Sequence, residues 1–202
     1  MMPKYSIIIP HKLAESNNMS LGMNLQMLLE NSVYPFELII ETSAPRDPYM
    51  IWNEAAKQAR ADILVFTNSD VLMAPGWDRF MVDFCEPNAI MTGYLVEPGN
   101  IGVAEENIHN SFGMHPSTFN RQQFEQWVAA QNTPECVEQR GWYMPCAVDR
   151  KWFIDTGGFD TAIPFPHPND IIFWDRCIRE YGTRLLRVRS YAYHFQCLSG
   201  RV

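Results

Sequence analysis

No two of the five cysteines (Cys85, Cys136, Cys146, Cys177 and Cys197) form a CxxC pair. That removes the usual zinc-ribbon and disulfide-framework patterns. Scattered thiols in odd number fit a reducing compartment, so a cytoplasmic location is expected. No apolar stretch reaches the roughly 18 residues that suggest a membrane span. The N-terminal run within MMPKYSIIIPHK is too short for a signal peptide, so no integral membrane segment is expected. Positive charge is scarce, with 16 Lys and Arg against 23 Asp and Glu, a net charge of -7. A nucleic-acid binder normally carries a basic patch, and none is expected here. The sequence also lacks internal repeats and low-complexity linkers.

What is present is a chain of 202 residues, 47% hydrophobic, enough for one domain with a sizeable core. An acidic protein still binds phosphates when a metal ion or backbone N–H groups neutralise them locally. The first half alternates strand and helix signals. Ser6–Pro10 (SIIIP) is a short apolar run ending in proline, suited to a buried parallel strand. Leu21, Leu25, Leu28 and Leu29 recur at helical spacing. Phe36–Glu41 reads as a second strand. Asp47 then caps a helix with Pro48 at its first position, running to about Arg60. Asp62–Thr67 is a third strand, Pro75 opens a short helix through Phe84, and Ala89–Val96 is a fourth strand. This alternation implies right-handed crossovers and a mostly parallel, doubly wound sheet. Ligands bind beyond the carboxyl ends of such strands. That rule selects Pro10–Lys12, Glu41–Ser43 and Asn68–Asp70.

The second half is less regular. Residues 97–116 read as a long loop, a kind of segment that is often functional. Ser117–Gln131 reads as a helix and Trp142–Val148 as a strand. A short helix and the turn Thr156–Asp160 (TGGFD) follow. Asn169 caps a helix with Ile171, Trp174, Ile178 and Tyr181 on one face and Gly182 as its stop. Two β segments close the chain, around Arg184–Val188 and Tyr191–Phe195.

Thr67-Asn68-Ser69-Asp70, at the end of an apolar strand, presents a carboxylate to the expected crevice. Such an oxygen ligand suits a hard cation, although Asp also caps turns. Several motifs in order resemble those of the family 2 glycosyltransferases. Ser6-Ile7-Ile8-Ile9-Pro10 is similar to the family's opening strand. Asn53-Glu54-Ala55-Ala56 followed by Ala59-Arg60-Ala61-Asp62 resembles its N-x-A … A-x-A-D helix. Ile63–Phe80 resembles the strand carrying its Asp-x-Asp motif. Asp149-Arg150 to Phe153, then Gly157-Gly158-Phe159-Asp160, resembles its R-x-x-F-x-x-x-G-G-F-D signature. Asn169-Asp170, Trp174-Asp175-Arg176 and Tyr181-Gly182 resemble its E-D-x-D-L-x-x-R-x-x-x-x-G segment. The likeness covers most of the chain and leaves roughly residues 97–140 unmatched.

The resemblance implies the GT-A fold: a single Rossmann-like α/β domain over 1–202, with a mostly parallel central sheet flanked by helices. It implies a nucleotide-binding half (1–96) and an acceptor-side half (97–202). It further implies an inverting, metal-dependent transferase moving a sugar from a nucleotide diphosphate to an acceptor hydroxyl. Asp70 would hold Mn²⁺ or Mg²⁺ beside the diphosphate, with His194 as a further ligand. An imidazole there favours Mn²⁺ over Mg²⁺, and the other reading of His194 is a half-buried strand histidine. Asp170 would be the general base; an acid there also complements the helix dipole. Pro10, His11, Glu41, Asn53, Asn68 and Ser69 would line the UDP- or GDP-linked donor site, with Asn53 at the diphosphate or base, or else facing solvent. Trp142 and Tyr143 would stack on a saccharide acceptor or pack in the core. Gly157 and Gly158 would allow a tight turn and close approach to the sugar. His109, His115 and His167 read as loop histidines, and Arg176, Arg179 and Arg184 as a solvated face.

Two departures stand out. Glu41-Thr42-Ser43-Ala44 replaces the family's Asp-Asp-Gly-Ser, leaving Glu41 as the candidate base-binding carboxylate. Asn68-Ser69-Asp70 keeps only the last acid of Asp-x-Asp. These departures open a second reading, a degenerate protein that binds a nucleotide-sugar or a partner without turnover. A nucleotidyltransferase ranks last, because Pro10-His11-Lys12-Leu13-Ala14 lacks the glycines of a phosphate loop.

Overall fold

The computed structural model describes residues 2–13, 15–42, 47–99, 104–139, 144–162 and 169–196, with backbone only at 15–17. Ser43, Ala44, Trp142, Tyr143, His167 and Cys197 lie outside the described residues.

The first strand, β1 (Tyr5–Pro10), pairs in parallel with β2 (Phe36–Glu41) on one side and β3 (Ile63–Phe66) on the other. Helix α1 (Glu15–Asn31) makes the first crossover and α2 (Pro48–Gln58) the second. The start of α2 follows from its sequence: the Asp47 carboxylate accepts from the Tyr49 amide at 2.9 Å, and Pro48 occupies the first turn. β4 (Val71–Met73), α3 (Asp78–Asp83) and β5 (Ala89–Glu97) follow, then β6 (Ile108–His109), a 3₁₀ turn (Pro116–Thr118) and α4 (Arg121–Ala129). The chain ends with β7 (Cys136–Glu138), β8 (Cys146–Asp149), α5 (Arg150–Asp155), α6 (Asn169–Tyr181) and β9 (Arg184–His194).

These strands form one sheet in the order β2-β1-β3-β8-β5-β9-β4, with β6 beside β5 and β7 beside β9. β1, β2, β3, β5, β6 and β9 run one way, while β4, β7 and β8 run against them. The sheet is therefore mostly parallel. β8, from late in the sequence, lies between β3 and β5, so strands of the two halves interleave.

Alternation along β1 sends Ile8 to one face and Tyr5, Ile7 and Ile9 to the other. On Ile8's side Trp52 of α2, Phe153 of α5 and Phe173 and Trp174 of α6 pack together; on the opposite side Leu28 of α1 meets Trp77 and Met81. A third cluster, with Phe112, Phe124, Tyr191 and Tyr193, fastens α4 to the end of β9. The helices thus flank both faces.

Some sequence expectations shift in detail. The short helix begins at Asp78 rather than Pro75, and the buried Asp78 carboxylate accepts from the Val33 and Tyr34 amides. Leu29 is exposed, although Leu28 beside it is buried. The segment 97–116 contains β6, paired with Val96 and Glu97. The two closing β segments are one strand, β9, carrying an irregularity. Thr92 pairs with Arg187 but Tyr94 with Tyr191, so β5 advances two residues while β9 advances four. Gly93 sits at this bulge because a β-carbon there would lie 2.7 Å from the Ser190 carbonyl oxygen. No helix among the described residues is long and apolar enough to cross a membrane.

Candidate functional site

The expected crevice is the edge where β1, β2, β3, β5 and β9 end. Pro10 stands opposite Glu41 in the β1–β2 register, and the His11 amide donates to the Glu41 carbonyl at 2.9 Å. The His11 ring is buried, with Nε2 2.8 Å from the Asn18 side-chain oxygen. Both Pro10 and Glu41 are half-buried.

Beyond β3, the Thr67 amide donates to the Ile8 carbonyl and Asn68 begins a turn. Asn24 of α1 donates to the Asn68 carbonyl at 3.1 Å, pinning that turn. Ser69 is buried and Asp70 fully so. Because β4 runs against β9, Asp70 just before β4 arrives at the same edge as His194, the last residue of β9. His194 Nε2 is 3.5 Å from Asp70 Oδ2 and Nδ1 is 2.7 Å from Glu97 Oε1. Asn107 donates to the other Glu97 oxygen at 2.9 Å. Burial alone would lower the imidazole pKa, but the Asp70 and Glu97 carboxylates outweigh it and push it up to about 10. No group of three or more His, Cys, Asp or Glu side chains among the described residues is arranged to hold a metal ion.

Asp170 lies in the first turn of α6 and accepts from the Tyr49 hydroxyl at 3.2 Å. Burial, and then the Asp170 charge, raises the Tyr49 hydroxyl above its ordinary pKa, so Tyr49 is the donor. The Cys146 thiol is raised by burial and next by Asp170. Tyr49 opens α2, the helix that runs back from the carboxyl end of β2, so the bond from its hydroxyl puts Asp170 at this same edge.

Asn53, expected at the diphosphate or base, is engaged elsewhere. Its amide donates to the Phe159 carbonyl at 2.8 Å and accepts from the Phe159 amide at 2.9 Å, using both ends on the Gly157–Asp160 turn. Gly158 has φ +65°, and a β-carbon there would collide with the Asn53 oxygen. The close approach that Gly158 makes in this structure is to Asn53. Arg176 is likewise no solvated side chain: it donates to the Thr156 and Gly158 carbonyls at 3.0 and 2.7 Å and lies over the Phe173 ring. Arg179 and Arg184 pair with surface carboxylates as a solvated face does. His115 caps the 3₁₀ turn. Glu97 escaped the sequence reading. Its signal was a polar residue directly after the apolar run Ala89–Val96, at the carboxyl end of a strand, the placement that selected Glu41–Ser43 and Asn68–Asp70.

Neither a family model nor a curated sequence matches the chain. Solved structures do match. GalNAc-T7, solved with UDP, GalNAc and Mn²⁺, superposes with a TM-score of 0.64 at 12% identity, over 96% of this chain and 44% of that one. S. aureus TarS 1–349 in complex with UDP superposes with a TM-score of 0.59 at 13% identity, over 94% and 60%. The chain has the GT-A glycosyltransferase fold. It spans less than two thirds of the length of either structure. At this identity the likeness establishes the GT-A architecture.

Proposed function

We propose that this GT-A chain is a glycosyltransferase that moves a sugar from a nucleotide diphosphate donor to an acceptor hydroxyl, with inversion and with a divalent metal. The observation that carries the reading is the meeting of Asp70 and His194, 124 positions apart in sequence, at the edge where Asp170 accepts from Tyr49. GalNAc-T7 with UDP and Mn²⁺, and TarS with UDP, support this class of donor.

The donor set fits a divalent cation. Asp70 offers a buried carboxylate and His194 an imidazole, and the diphosphate and water would complete the shell. A bound Mn²⁺ or Mg²⁺ would neutralise charge developing on the leaving diphosphate. Asp70 and His194 would hold it, and the pinned Asn68 turn would keep Asp70 in place.

Pro10, His11, Glu41, Asn68 and Ser69 would line the nucleotide pocket, with Glu41 offering a carboxylate to a base N–H. A saccharide acceptor would approach from the other side. Asp170 would take the proton from its hydroxyl while that oxygen attacks the anomeric carbon and the bond to the diphosphate breaks. Attack opposite the leaving group inverts the carbon. Tyr49, donating to Asp170, would hold the carboxylate in place for the acceptor hydroxyl.

Calorimetry with UDP and with GDP, each with and without Mn²⁺, tests the donor class. Metal-dependent binding of one nucleotide supports the reading and names the base; no binding of either would favour a role in partner binding.

A further inference from the structure

We propose that Glu97 is the positioning residue of His194: it holds the Nδ1–H and thereby turns Nε2 toward Asp70 to serve a divalent cation. This rests on the reading of Asp70 and His194 as the cation's ligands.

The geometry separates positioning from ligation. One Glu97 oxygen is 2.7 Å from His194 Nδ1, and the other accepts from Asn107 at 2.9 Å. Both oxygens are engaged and the side chain is buried, so Glu97 orients the ring rather than offering a ligand. His194 Nε2 faces the Asp70 carboxylate, on the side where a cation would lie. A carboxylate on the far nitrogen of a metal-bound histidine fixes its tautomer and raises its basicity.

The fold spends a backbone irregularity on this contact. Extended without interruption, the Thr92–Arg187 register would set Glu97 opposite Ala192. The bulge moves the register by two residues, so that Val96 pairs with Tyr193 and the next step brings Glu97 to His194. A two-residue shift preserves which face each side chain occupies. Gly93 permits the bulge, since a side chain there would meet Ser190.

The test is Mn²⁺ affinity with UDP present, read from the electron paramagnetic resonance of free Mn²⁺, in the full chain. Asp70→Asn and His194→Gln check the underlying site and should weaken binding most. Glu97→Gln keeps the side chain's size but lets an N–H face Nδ1, favouring the wrong tautomer; Glu97→Ala removes the partner altogether. Both should weaken Mn²⁺ binding by about 10- to 100-fold, with the native circular dichroism spectrum retained in Glu97→Gln. A purely structural Glu97 would lower the melting temperature and leave Mn²⁺ affinity alone. If the Asp70 and His194 variants lose Mn²⁺ while Glu97→Gln binds as the parent does, the positioning role is overturned and the metal site stands. If the Asp70 and His194 variants bind normally, the metal site falls, and this inference with it. Should Glu97→Ala fail to fold, Glu97→Gln alone decides.

Discussion

The Tyr49 hydroxyl donates to Asp170 at 3.2 Å, tying the first turn of α2 to the first turn of α6 across 121 positions of sequence. Asp47 caps the helix that carries Tyr49, so a local sequence signal fixes one end of a long-range contact. If Asp170 removes the acceptor proton, its direction matters as much as its presence. Tyr49→Phe deletes one hydrogen bond to a charged group, worth about 1.5–3 kcal/mol. Only part of that reaches the transition state, so turnover should fall by roughly 3- to 30-fold while KM for the donor holds. Steady-state kinetics with varied donor separates the two.

Asp170→Asn removes the proton acceptor and keeps the shape. Turnover should drop by about 10²–10⁴ with UDP affinity unchanged in calorimetry. A variant that loses nucleotide binding to the same degree would place Asp170 in the donor site instead.

Asn53 and Gly158 form a structural pair. Gly158→Ala meets both a left-handed backbone and the Asn53 oxygen, and should cost about 1–3 kcal/mol of stability. Asn53→Ala leaves the Phe159 amide and carbonyl without their partner and should cost a similar amount, about 1–3 kcal/mol. Chemical denaturation measures both. A folded Asn53→Ala should bind UDP like the parent, because its amide serves the turn; weaker UDP binding would return Asn53 to the diphosphate.

Glu37 carries a pH signature far from the site. Burial alone would raise its pKa, but the Arg60 amide, the Ser6 hydroxyl and the Arg60 guanidinium outweigh it and hold it below the ordinary 4.5. A carboxylate depressed in the folded state contributes stability above its unfolded pKa and loses it as pH falls through the folded value. Glu37→Gln should therefore be less stable than the parent at pH 7, with the gap closing in acid below the ordinary carboxylate value. Urea melts across that range will show whether the two curves converge.

Much of the architecture was legible because it depends on short-range patterns. The SIIIP and DILVFT runs gave β1 and β3, and Asp47-Pro48 gave the start of α2. What escaped depends on partners distant in sequence. The three residues of β4 are strand because β9 pairs with them. Asn53 reads as a ligand-facing polar residue until Phe159, 106 positions later, occupies its amide. Glu97 and His194 are 97 positions apart and meet only because the β5–β9 register slips at Gly93. That slip also coincides with the gap in the sequence pattern that made β9 look like two segments.

The most direct measurement is release of free nucleotide diphosphate from a panel of UDP- and GDP-sugars with Mn²⁺, in the parent, Asp70→Ala and Asp170→Ala. The parent should turn over one donor, with both variants reduced at least about 100-fold. Release that persists undiminished in both variants would contradict the assignment of this edge of the sheet as the place where the sugar is transferred.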